Sequence, residues 1–160
     1  MNELDFGGKS ALVVGGSSGI GNGIARAFLE RGAAVEVWGT RPDAASYDDE
    51  EGSELAGLTY RQVDVGDPGA LTAVTAPTGL DVLVLSQGIV RYKRQEFEAE
   101  GWREVLAVNL DSVMACATHF RHALAARSGA LIIVSSVSGI IAARGNPAYS
   151  ASKEIGRAHV

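Results

Sequence analysis

Ala11-Leu12-Val13-Val14-Gly15-Gly16-Ser17-Ser18-Gly19-Ile20-Gly21 decides how the rest of the chain is read. Its first four residues are a short apolar run, as in a strand buried on both faces, and a glycine-rich turn follows at once. Behind the turn, Ile20, Ile24 and Phe28 recur at helical spacing beside Ala25 and Leu29. Strand, glycines and helix in that order form a phosphate cradle. Glycines allow a tight turn and close approach of backbone to a pyrophosphate, and the helix N-terminus offers N–H donors and partial positive charge. A glycine-rich turn with no ligand is the simpler alternative.

The same alternation continues along the chain. Strands are predicted at residues 11–14, 34–38, 59–63, 82–85 and 130–134, mostly as continuous apolar runs. Asp67-Pro68 reads as a helix cap followed by proline at the first helical position. Residues 102–126 form one long helix-compatible stretch before Ser128-Gly129. Strand-helix-strand repetition predicts an α/β fold, a doubly wound parallel sheet of the Rossmann type with helices on both faces. In such sheets ligands bind beyond the carboxyl ends of the strands. The glycine turn, Asp64, Gly88 and Ser135-Ser136 follow the first, third, fourth and fifth strands, so four segments converge on one crevice.

Tyr149-Ser150-Ala151-Ser152-Lys153 adds a chemical pair to that crevice. Tyrosine and lysine four residues apart stack on one helix face. A free tyrosine has a pKa of roughly 10. A neighbouring ammonium favours the phenolate and brings proton transfer toward neutral pH. Taken alone, the pair reads as an ordinary solvated helix face; the rest of the chain reverses that reading.

Composition narrows the classes. The chain has 160 residues, 46% of them hydrophobic, enough for one domain with a core. Its 14 basic and 19 acidic residues give a net charge of -5, and no basic stripe with interleaved aromatics suggests nucleic acid. Asp48-Asp49-Glu50-Glu51 reads as a solvated loop. Cys116 is the single cysteine; no internal disulfide can form, which fits a reducing cytoplasm, and its helical surroundings predict buried packing. His119 and His122 match no metal-ligand pattern and are expected at exposed helical positions; no metal site is predicted. The opening Met1-Asn2-Glu3-Leu4-Asp5 carries no secretory pattern, and no apolar run reaches membrane-spanning length.

The G-x-x-x-G-x-G spacing, with Asp64, Asn109, Ser136 and Tyr149-x-x-x-Lys153, resembles the short-chain dehydrogenase/reductase family over residues 6–153. The resemblance implies an NAD(P)-dependent oxidoreductase that moves hydride between a nicotinamide and a carbonyl or secondary alcohol. By that resemblance Tyr149 is the general acid/base, and Lys153 binds the nicotinamide ribose and lowers the tyrosine pKa. Ser136, thirteen residues before Tyr149, holds the substrate oxygen. Asn109 positions a water in the proton relay, and Asp64, with Val65 beside it, contacts the adenine edge. Gly15, Ser17, Ser18, Gly19, Ile20 and Gly21 cradle the pyrophosphate, and Gly88 lies on the cofactor floor. Each polar residue also has a plain structural reading. Asn109 satisfies backbone groups where the long helix bends, Ser135 and Ser136 cap a turn, and Asp64 closes a strand end. The other functional class is a non-catalytic dinucleotide-binding fragment. The family's partners would be a small carbonyl or alcohol and further copies of the chain, a dimer or tetramer, without nucleic acid or membrane.

Three departures from the family pattern bear on the cofactor. Val14 stands where threonine is usual, and Leu85-Ser86-Gln87-Gly88 stands where Asn-Asn-Ala-Gly is common. At the end of strand two, Trp38-Gly39-Thr40-Arg41 lacks the acidic residue of NAD-dependent members. Gly39 leaves room for a 2′-phosphate, and Thr40 and Arg41 stand ready to hold it. NADP(H) is therefore favoured over NAD(H), although Ser18 replaces the basic residue many NADP members carry in the glycine turn. Family members continue beyond the Tyr-Lys helix with two more strands. Here Glu154-Ile155-Gly156-Arg157-Ala158-His159-Val160 resembles the translation of a widely used sequencing adapter. The expectation is a truncated NAD(P)-binding domain at residues 1–153, a non-native tail at 154–160, and little activity in the 160-residue chain itself.

Overall fold

The computed structural model describes residues 4–141 and 144–154. The expected heptapeptide tail thus lies almost wholly outside the described residues. Five parallel strands form one sheet: β1 (Ser10–Val14), β2 (Ala34–Gly39), β3 (Thr59–Gln62), β4 (Val82–Leu85) and β5 (Ala130–Ile133). Their order is β3-β2-β1-β4-β5. The chain therefore reverses its direction of travel between β1 and β4, the place where open α/β sheets bind ligands. Val14 is in register with Trp38 on one side and Leu85 on the other, so these strands end level.

Side-chain alternation splits the core in two. Leu12, Val14, Leu83 and Leu85 point to one face and meet Cys116, Phe120 and Leu124. Ala11, Val13, Val35, Val37 and Val84 point to the other, where Ala25 and Phe28 cover them. The helices responsible are α1 (Gly19–Leu29) on the second face and α4 (Ser112–Arg127) on the first. Between them, α2 (Pro68–Thr72) begins as its sequence predicts, with Asp67 accepting from Gly69 N at 2.8 Å and proline opening the helix. Cys116 is fully buried, and desolvation pushes its thiol up to about 12.

The long helical stretch is two helices with an insertion. α3 (Ala99–Leu106) passes through a π turn at Ala107–Asp111 into α4. Such a turn adds one residue to the helical circuit and re-aims what it carries. Here it carries Asn109, 1% exposed. A last helix, α5 (Pro147–Lys153), brings Tyr149 and Lys153 back to the sheet. His119 departs from expectation. It is half-buried and edge-on to Phe120 at 4.8 Å; His122 is exposed as expected.

Candidate active site

A cleft of ≈ 650 Å³ opens beyond the carboxyl ends of the strands. Gly15, Ser17, Ser18, Ile20, Gly21, Thr40, Arg41, Asp64, Val65, Gly88, Tyr149 and Lys153 all line it. Of the remaining sequence-predicted residues, Gly19 sits exposed at the mouth of the glycine turn, Asn109 lies beneath the floor, and Ser136 stands just outside the lining while Ser135 is in it.

The glycine turn is set by close packing. A Cβ on Gly21 would lie 2.1 Å from the Gly15 carbonyl oxygen, and one on Gly15 would lie 2.8 Å from Gln87 Cα. These contacts let α1 start directly against β1 and β4. Ser18, Ile20 and Gly21 then line the cleft at the start of α1, where the first turn of a helix leaves N–H groups without partners within the helix. Gly19 N is already held by Gly52 O at 2.8 Å. The loop after β2 is thereby tied to the turn, and Asn22 strengthens the tie. Asn22 is buried, donates to Gly16 O and Glu54 O, and accepts from Glu54 N. No sequence signal marked Asn22.

The end of β2 differs from the expected open space. A Cβ at Gly39 would stand 2.5 Å from Tyr47 Oη and 2.6 Å from Ser17 Oγ. The room over Gly39 is filled by Tyr47, folded back by the 3₁₀ turn at Ala45–Tyr47. Arg41 stacks over the Tyr47 ring at 4.4 Å, donates to Ser46 O, and pairs with Glu50 at 2.5 Å. A cation is therefore present, with a carboxylate already on it. Within the acidic run read as a solvated loop, Glu50 has this specific partner.

The chemical pair sits opposite. Lys153 Nζ is 5.6 Å from the centre of the Tyr149 ring and donates to Val134 O at 3.3 Å. Only 6% of Lys153 is exposed, and burial pushes its ammonium below the ordinary lysine value. A Cβ on Gly88 would come within 3.1 Å of that ammonium, so glycine keeps the floor open beside it. Asn109 accepts from Ile89 N at 2.8 Å and donates to Ile89 O and to Ser152 Oγ on α5. Ser136 Oγ accepts from Ser138 N at 3.2 Å, and Ser135 Oγ donates to Lys153 O at 2.6 Å. Asp64 accepts from Gly66 N at 2.9 Å. The structural jobs read for Asn109, Ser136 and Asp64 are thus all performed, and they hold these residues at or beside the cleft.

One further residue of the site went unread in the sequence. Glu96, 1% exposed, accepts from Tyr149 N at 2.9 Å.

With this geometry in place, comparison with known proteins is direct. The chain belongs to the short chain dehydrogenase family, whose model matches residues 9–158. It is 34% identical to the 3-oxoacyl-(acyl-carrier-protein) reductase FabG of Chlamydia pneumoniae, over 94% of this chain and 64% of that protein. It is 36% identical to the cis-4-hydroxycyclohexanecarboxylate dehydrogenase of Sinomonas cyclohexanicum, over 92% of this chain and 63% of that protein. Among solved structures, a protein assigned as a 2-deoxy-D-gluconate 3-dehydrogenase from Agrobacterium tumefaciens, with bound NADP, superposes with a TM-score of 0.80 at 28% identity. That match covers 98% of this chain and 64% of the other. The chain therefore spans less than two thirds of the length of these relatives.

Proposed function

We propose that this chain is the dinucleotide-binding and proton-transfer part of an NAD(P)(H)-dependent oxidoreductase acting on a small carbonyl or secondary alcohol. One observation carries the reading: the glycine turn and the Tyr149–Lys153 pair line the same cleft, at the point where strand order reverses. When bound, a nicotinamide supplies or accepts the hydride. The protein's own part is binding and proton movement. The opening N–H groups of α1 suit a pyrophosphate, and Gly88 leaves the floor open for a planar ring. Tyr149 Oη gives the proton to the carbonyl oxygen, or takes it from the alcohol. The Lys153 ammonium, held at Val134 O, stabilises the phenolate left behind. Ser136 Oγ already accepts from a backbone N–H, so its hydroxyl proton is available to hold the substrate oxygen. Asn109 would order water on the relay behind Lys153.

NADP(H) is the proposed cofactor, with NAD(H) second. The absence of a carboxylate on Gly39-Thr40 and the Arg41 cation support this, as does the NADP in the Agrobacterium relative. A 2′-phosphate would have to compete with Glu50 for Arg41. Pairing of two copies along α3 and α4, where Trp102 and Met114 are 39% and 46% exposed, and a cytoplasmic setting complete the proposal. Turnover is proposed for the whole protein, and nucleotide binding without turnover for the 160-residue chain.

Tyr149→Phe keeps the ring and removes the proton. In the whole protein it should lower kcat for carbonyl reduction by about 100-fold or more, while the Kd for NADPH stays within twofold of wild type. Near-normal turnover in that variant would remove Tyr149 from the acid/base role.

A further inference from the structure

A carboxylate that is 1% exposed needs partners, and those of Glu96 are unusual. No ion pair among the described residues involves it; Arg91, which gives it a backbone N–H, turns its guanidinium to Glu104 instead. Three N–H donors converge on it instead. Oε1 accepts from Arg91 N and from Asn146 Nδ2, both at 3.1 Å, and Oε2 accepts from Tyr149 N at 2.9 Å. Tyr149 is the third residue of α5, so its N–H has no partner within the helix, and Asn146 makes no capping bond of its own. Glu96 supplies the missing acceptor from a segment 53 residues away.

The opposite side of the same residue is also held. Ser152 Oγ donates to Tyr149 O at 2.8 Å, and Asn109 donates to Ser152 Oγ at 3.1 Å. Asn146 Nδ2 further donates to Arg91 O at 3.0 Å. The backbone of Tyr149 is thus pinned at both its N–H and its carbonyl by the loop after β4 and the π turn. The 3₁₀ turn that carries Glu96 is itself fixed, since a Cβ on Gly101 of α3 would meet Gln95 O at 2.3 Å. A seven-residue helix is marginal by itself, so these outside bonds decide whether it holds its shape.

We infer that Glu96 is a positioning residue, whose carboxylate fixes the start of α5 and so sets the placement of Tyr149 at the cleft. Its catalytic consequence rests on the function proposed above; its hold on α5 does not. Hydrogen exchange of the 160-residue chain reads the hold directly. In Glu96→Gln an amide leaves one acceptor oxygen for three donors and turns an NH₂ toward them. Amides of residues 148–153 should then exchange about tenfold faster or more, the effect of losing a hydrogen bond to a charged acceptor, while β1 and β4 keep their protection. Glu96→Ala should go further in the same direction. Should the alanine variant lose protection everywhere, the glutamine variant decides. Unchanged exchange of α5 in Glu96→Gln overturns the inference. In the whole protein Glu96→Gln should lower kcat at least about tenfold by misplacing the proton donor, with KM for the carbonyl and Kd for NADPH each within twofold. A fall in nucleotide affinity equal to the fall in kcat would make Glu96 a general packing residue and overturn the positioning role. If Tyr149→Phe retains turnover, the acid/base reading fails, and the exchange result still judges Glu96.

Discussion

Lys153 keeps an ammonium where little water reaches it, and this should be visible in stability. Burial lowers its pKa in the folded chain from the ordinary 10.5, whereas the unfolded chain keeps that ordinary value. Below the lowered value both states are protonated, and the cost of burying the charge is present in full. Between the lowered value and 10.5 the unfolded state binds more protons, so Lys153 contributes stability that rises with pH. Lys153→Met removes the charge and its titration. Its Tm relative to wild type should be most favourable near pH 7 and should decline steadily as pH approaches 10.5. Thermal melts of both proteins across that range test this, and parallel curves would show that Lys153 is not desolvated. At this scale the sequence was legible where chemistry depends on local spacing, as for Tyr149 and Lys153. It was silent where burial comes from distant segments. Gln95-Glu96-Phe97-Glu98 looks like any solvated loop, and only a helix 50 residues later makes Glu96 a buried acceptor. Likewise Arg41 was readable as a cation at the end of β2, but its stacking on Tyr47 depends on how the intervening turn folds back.

At the scale of elements, the glycine turn separates two physical reasons for glycine. Gly21 is needed for space, because any Cβ there meets the Gly15 carbonyl at 2.1 Å. Gly19 is needed for conformation, with φ of +56° and nothing within 4 Å of an added Cβ. Gly21→Ala should therefore push α1 off β1 and destabilise the chain by about 3 kcal/mol or more, at the upper end of overpacking costs. Gly19→Ala should cost only about 1–2 kcal/mol, the left-handed penalty. Urea unfolding of the two variants gives the comparison; equal losses would mean that α1 relaxes around the Gly21 contact. The central strands β1 and β4 were legible because parallel strands buried on both faces are continuous apolar runs; β3, Thr-Tyr-Arg-Gln at the edge, was legible from its place in the alternation of strands and helices. Their ends differ from the expected ones by a single residue at most, as fraying strand ends do. The π turn was not legible. Inserting one residue into a helix leaves the apolar spacing on either side intact, so residues 102–126 read as one continuous helix, with Asn109 at a bend rather than at an insertion. The reason for the turn lies in Ile89, whose N–H and carbonyl both bond to Asn109.

At the scale of the whole molecule, the two sheet edges are unequal in consequence. β3 is a short edge strand with polar residues Thr59, Arg61 and Gln62, and Arg61 pairs with Glu36. Charge of this kind keeps an edge from pairing with another chain. β5 is apolar, Ala-Leu-Ile-Ile, and among the described residues its only strand partner is β4. Beside it Ile132, Val137, Ile140 and Ile141 are 42%, 69%, 71% and 66% exposed. Unpaired backbone groups and contiguous apolar side chains on one side make a surface that water solvates poorly. The 160-residue chain should therefore self-associate, with an average mass in sedimentation that climbs with concentration and with binding of a hydrophobic dye. Replacing Ile140 and Ile141 together by glutamate should shift the distribution toward monomer and reduce dye binding severalfold, since both side chains are exposed and a carboxylate there repels its copy. The same change lies outside the nucleotide cleft, so NADPH affinity should persist. A wild-type chain that stays monomeric and dye-free at high concentration would show that this edge is covered by residues outside the described set.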